Sequence, residues 1–73
     1  MIQIGIVGHI VSGEDEGNYV KVKELFDDPS SFLILVSETP DFSGPGGDYW
    51  VEDRASLEQF FEESRWSVEW RQE

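Results

Sequence analysis

The chain has no cysteine in its 73 residues. That excludes disulfides and thiolate metal sites as staples of the fold, and it fits a reducing, cytoplasmic setting. Cations are scarce: five Lys and Arg face sixteen Asp and Glu, for a formal net charge of −11. Without a basic patch there is nothing to displace counterions from nucleic acid, and an anionic membrane surface would repel the chain. No apolar run approaches the roughly 20 residues needed to cross a bilayer. The opening MIQIGIVGHIV carries no basic region and no small-residue cleavage site follows it, so it reads as a strand and not as a signal peptide. The single histidine, His9, has no partner visible in the sequence. A general base needs both a partner and a pocket, so His9 reads as a strand residue beside a partly solvated surface. No nucleophile–base pair, metal-ligand spacing or cofactor motif is present. The expectation is a protein that is not an enzyme, with no catalytic, metal or cofactor-binding residues.

What the chain does have is apolar mass. Aromatics make up 14% of it and apolar residues 38%, which argues against a disordered acidic tail. Residues 1–73 make one domain, and a chain this short buries only roughly 60% of its unfolded surface. Large rings suit so small a core.

Periodicity sets the elements. Ile2, Ile4, Ile6 and Ile10 share one parity across residues 2–11, a strand with one buried face. Ser12 to Asn18 (SGEDEGN) is turn chemistry. Tyr19 to Phe26 alternates again, with Val20 and Val22 opposite Lys21 and Lys23, so the first two strands form a hairpin. Asp27 to Ser31 is the next turn. Phe32 to Val36 (FLILV) is apolar throughout, as in a central strand covered on both faces. Thr39 to Asp48 is a long Gly/Pro loop, and Tyr49 to Glu52 a short fourth strand. Asp53 can cap a helix near 54–65, where Leu57, Phe60, Phe61 and Ser64 form one stripe. Trp66, Val68 and Trp70 alternate in a last strand. The predicted fold is α+β: a β-β-β-β-α-β antiparallel sheet with the helix across one face and the fifth strand beside the first. Ile4, Ile6, Val20, Val22, Leu57, Phe60, Phe61 and Val68 form the expected core.

Two loops are candidate binding surfaces. The triplet Glu14, Asp15 and Glu16 either meets basic side chains of a partner or simply hydrates at a hairpin tip. It lacks the ligand spacing of a calcium loop. The segment from Asp41 and Phe42 to Asp48 is longer than a hairpin needs, so it is either an interface loop or a loose connector. Its glycines do not make a phosphate cradle, because the Lys, the hydroxyl and the helix start are missing. Trp50 is the expected exposed aromatic, with Tyr49 beside it. In a strict meander the first and third turns lie at the same end of the sheet. Glu14, Asp15, Glu16, Asp41, Phe42, Asp48, Tyr49 and Trp50 would then form one partner-binding patch.

The segment DYWVEDRASLEQFFEESRWSVEW, residues 48–70, resembles the C-terminal part of bacterial toxin-immunity proteins through Asp48, Trp50, Glu52, Leu57, Phe60, Phe61, Trp66 and Trp70. The resemblance implies a cytosolic, non-enzymatic inhibitor that plugs its cognate toxin. Charge suits that role, since acids would steer the chain to a basic site and mimic phosphates there. Two alternatives use the same features. One is a nucleic-acid mimic that occupies a DNA-binding protein. The other is a self-associating assembly domain, in which Lys21 and Lys23 only partly cover the bare side of FLILV and a second copy completes it.

Overall fold

A computed structural model describes residues 2–26 and 29–71. Five strands and one helix follow in order: β1 (Gly8–Ser12), β2 (Tyr19–Leu25), β3 (Ser31–Ser37), β4 (Gly46–Val51), α1 (Arg54–Glu63) and β5 (Ser67–Trp70). All strand pairs are antiparallel, in the order β4-β3-β2-β1-β5. The α+β class, the element order and the placement of the last strand beside the first agree with the sequence pattern.

Period two sorts the side chains. Val20, Val22, Phe32, Ile34 and Val36 are buried beneath α1 and meet Leu57 and Phe61 from the helix. Ile10 completes this core, and Ile2, Ile4, Phe60, Val68 and Trp70 pack around it. Asp53 caps the helix as expected, its carboxylate accepting from the Ser56 N–H at 2.7 Å. Phe61 stands edge-on to Trp66 at 4.9 Å and stacks near Trp70 at 6.2 Å, so the two late tryptophans do share a face.

Four expectations need correction. Ile6 is not in the core: it lines a hollow with Lys21 and Arg71. Gly5, in the left-handed region at φ +76°, breaks the alternation, so β1 begins only at Gly8. Ile4 is joined to Val22 by a parallel bridge ahead of that break. Second, among the described residues β3 is fully buried on one face alone. Phe32, Ile34 and Val36 are buried, whereas Leu33 and Leu35 on the other face are only half-buried. The middle strand of the sheet is β2. Third, β4 starts at Gly46, so Asp48 is a strand residue and not part of the loop. Fourth, β2 ends at Leu25 and leaves Phe26 exposed. The turn expected at 27–31 rests on Asp27 and Asp28, which lie outside the described residues, while Ser31 opens β3.

Candidate functional site

The acidic hairpin tip is held, not loose. Gly13, Asp15 and Gly17 all have positive φ, which folds the turn back on itself. The Glu14 N–H donates to the Ser64 carbonyl at 3.0 Å, and the Trp66 indole Nε1–H donates to the Glu14 carbonyl. Two hydrogen bonds therefore tie the tip to the end of α1, about fifty positions away in sequence. Gly13 is required at the crossing, because a Cβ there would stand 2.2 Å from the Arg65 carbonyl oxygen.

The helix end is shaped to receive the tip. Arg65 takes φ +57°. Its N–H donates to the Glu62 carbonyl at 3.0 Å, and the Trp66 N–H donates to the Phe61 carbonyl at 3.3 Å. This pair of bonds is the Schellman arrangement, with Arg where glycine is usual. The Phe61–Trp66 ring contact supplies the apolar half of the motif.

Between tip and helix end lies a hollow of about 310 Å³ lined by Glu14, Asp15, Glu63, Tyr49, Phe60 and Trp66. Its aromatic wall is continuous: Tyr49 and Phe60 are 5.1 Å apart, and Phe60 and Trp66 are 5.6 Å apart. Three acidic residues line it, Glu14, Asp15 and Glu63, all exposed, and the Glu63 carboxylate accepts from the Gln59 amide at 3.0 Å. A cationic side chain entering here would meet both opposite charge and ring surface.

The long loop is also ordered. The Asp41 carboxylate accepts from the Ser43 hydroxyl at 2.8 Å, the Ser43 N–H at 3.1 Å and the Thr39 hydroxyl at 2.8 Å. The Ser43 bonds, with Thr39 in support, hold the Asp41 carboxyl below the usual carboxylate range. Thr39 Oγ1 in turn accepts from the Gly44 N–H at 3.0 Å, and the Glu38 N–H donates to the Pro45 carbonyl at 2.9 Å. Phe42 is held at φ +60°, a strained setting for a bulky residue. It faces a shallow hollow with Leu35, Ser37, Gly46 and Asp48.

The eight candidate residues do not form one patch. Glu14, Asp15 and Tyr49 share the aromatic hollow, and Glu16 stands exposed on the same tip. Phe42 and Asp48 share the second hollow, and Asp41 is exposed within the loop. Trp50 is 61% exposed and lies opposite Leu33. The division follows from strand geometry: Tyr49 pairs with buried Ile34 on the helix face, so its neighbours Asp48 and Trp50 must point the other way.

The uncovered face has its own character. The register puts Trp50, Leu33 and Lys23 in one cross-strand row and Asp48, Leu35 and Lys21 in the next. His9 stacks on Tyr19 at 4.8 Å, and Arg71 lies over the same ring at 6.0 Å. Three of the chain's five cations thus gather on this side of the sheet, and the other two, Arg54 and Arg65, stand among the acids of the helix and its end.

Sequence reasoning missed Glu63 as a site residue and placed Phe60 and Trp66 only as packing. Their role depends on the tip closing onto the helix end. The only local sign of that closure is Gly13 beside the acids. Among the described residues, no helix is long and apolar enough to cross a membrane. No protein-family model, curated protein or solved structure matches this chain.

Proposed function

We propose that this protein is a small acidic binding domain that docks on a basic protein partner. The observation that carries the reading is the pinned tip, whose acidic residues line an aromatic hollow at the end of α1. A preorganised acidic site loses less on binding than a flexible one. Its charge speeds encounter with a basic surface, and its rings give a Lys or Arg side chain somewhere to lodge. The resemblance of residues 48–70 to toxin-immunity proteins supports an inhibitor role, in which the partner is a toxin with a basic site. The nucleic-acid-mimicking alternative shares this docking mode and differs only in the partner.

The test is a parallel capture from the native cell, with the wild-type protein and a Glu14→Gln, Asp15→Asn, Glu63→Gln triple variant as baits. A basic protein retained at low salt by the wild type and lost by the variant is the expected result. Equal retention would remove the hollow as the docking site.

A second reading is self-association, favoured by the bare face of Leu33, Leu35 and Trp50. Sedimentation would show a dimer that Trp50→Glu dissolves.

A further inference from the structure

Among the described residues the sheet has two unpaired edges, β4 and β5, and they are unequal. β5 has four residues. The Arg71 N–H donates to the Val7 carbonyl, so by alternation Glu69 is turned to β1 and only Val68 and Trp70 offer backbone groups outward. Those two side chains are half-buried against the core. β4 is longer, with six residues, all exposed except half-buried Val51. The Glu38 N–H bond to the Pro45 carbonyl fixes its phase. With the register given, Gly47, Tyr49 and Val51 exchange bonds with β3. Gly46, Asp48 and Trp50 therefore turn their N–H and C=O groups away from the sheet. The Asp48 and Trp50 side chains also point to the uncovered face.

Natural sheets usually blunt such an edge with Lys, Pro or a bulge. The proline near β4 lies just outside at Pro45, the strand's register with β3 is unbroken, and its one charge is Asp48, which repels an acidic strand and attracts a basic one. A second copy is a poor occupant. Antiparallel pairing of two β4 edges centred on Asp48 would set that carboxylate against its twin, and like charges directly opposite destabilise. Glu52 and Asp53, exposed just past the strand, add to that repulsion.

We infer that the β4 edge is a strand-addition site for an extended, basic segment of the partner. The inference rests on the basic-partner reading for the segment's charge and on the edge geometry for its mode of binding. Main-chain bonds to Gly46, Asp48 and Trp50 would supply affinity, and alternate side chains specificity. In an antiparallel addition, the residue facing Asp48 is Lys or Arg, the one facing Trp50 is apolar, and the one facing Glu52 is again basic. The segment reads basic–x–apolar–x–basic.

The probe is a capped peptide, Thr-Lys-Thr-Val-Thr-Lys-Thr, titrated into the full chain at low salt and followed by amide shifts and hydrogen exchange. The expected result is protection of the Gly46, Asp48 and Trp50 amides, with smaller changes at Gly47 and Tyr49, which are already bonded. N-methylating alternate peptide nitrogens, which removes the ladder bonds but keeps the charge, should weaken binding roughly tenfold or more. Asp48→Pro should weaken it more than Asp48→Asn, since both remove the charge but only proline also removes the outward N–H, with the β3 ladder untouched. Equal binding of the N-methylated peptide, or shifts confined to Glu14, Asp15 and Trp66, would overturn the edge and leave the basic-partner reading standing. Edge protection by a Glu-substituted peptide as strong as by the Lys peptide would overturn the basic segment and with it the basic-partner reading. No protection by either peptide at millimolar concentration would overturn the strand-addition site.

Discussion

Val22 and Lys21 are neighbours in the chain and live in different surroundings. Val22 is fully buried under the helix, and half-buried Lys21 lies on the opposite face of the sheet, where it lines a hollow with Ile6 and Arg71. The same division runs through β3, where Ile34 is fully buried and Leu35 half-buried, and through β4, where Tyr49 and Trp50 part company. One face holds the fold together. The other, with the β4 edge, is left available. Stability and binding are thus assigned to alternate residues of the same strands, and mutations one position apart should report on different properties.

The largest effect should come from the covered face. Phe61 touches both late tryptophans and is nearly buried, so Phe61→Ala should cost about 3–5 kcal/mol in urea unfolding. That would unfold much of a domain this small. Leu35→Ala on the other face should cost less, about 1–2 kcal/mol, because half-buried Leu35 lies at the sheet surface and its removal leaves no enclosed cavity. Equal losses would mean that the second face is covered after all.

Gly13→Ala comes next. Its Cβ would collide with the Arg65 backbone, and the residue already sits at φ +98°. Destabilisation of more than about 1 kcal/mol is expected. Tryptophan fluorescence should shift to the red as the tip lifts from Trp66. Arg65→Gly tests the other half of the same junction with the opposite sign. Glycine relieves the left-handed cost at the helix end, and the net gain should be about 0.5–1 kcal/mol.

A smaller effect separates charge from packing at the start of α1. The Ser56 N–H bond holds the Asp53 carboxyl below its usual 3.8. A depressed carboxyl stabilises the folded state above its unfolded pKa and loses that contribution as pH falls through the folded value. Asp53→Ala should therefore lower Tm at neutral pH. The gap from wild type should shrink below pH 3.8 and close once both states bind the proton. A gap that persists at pH 2 would point to packing instead of the carboxylate.

Much of the fold could be read from period alone, because alternation in β2 and the i, i+3, i+4 stripe of α1 are local signals. Ile6 escaped because one glycine at positive φ resets the phase, and Gly5 looks in sequence like any residue of the strand. The candidate site was legible residue by residue but not as an arrangement. Glu14, Asp15 and Tyr49 could be picked out by chemistry, while their meeting depends on two hydrogen bonds from residues fifty positions away. The loop's order was hidden for a similar reason. TPDFSGPGG reads equally as an interface loop or a loose connector until Asp41, Ser43 and Thr39 are seen to bond to one another.

The most direct test is the association rate of the captured basic partner with the wild-type protein and with the Glu14→Gln, Asp15→Asn, Glu63→Gln variant, each across a range of salt concentrations. Docking on the acidic hollow predicts a wild-type rate that falls steeply as salt rises. It also predicts a variant that associates more slowly at low salt, with a flatter dependence, and converges on the wild type at high salt. Identical rates at low salt would contradict it, and the −11 charge would then serve solubility or self-assembly and not recognition.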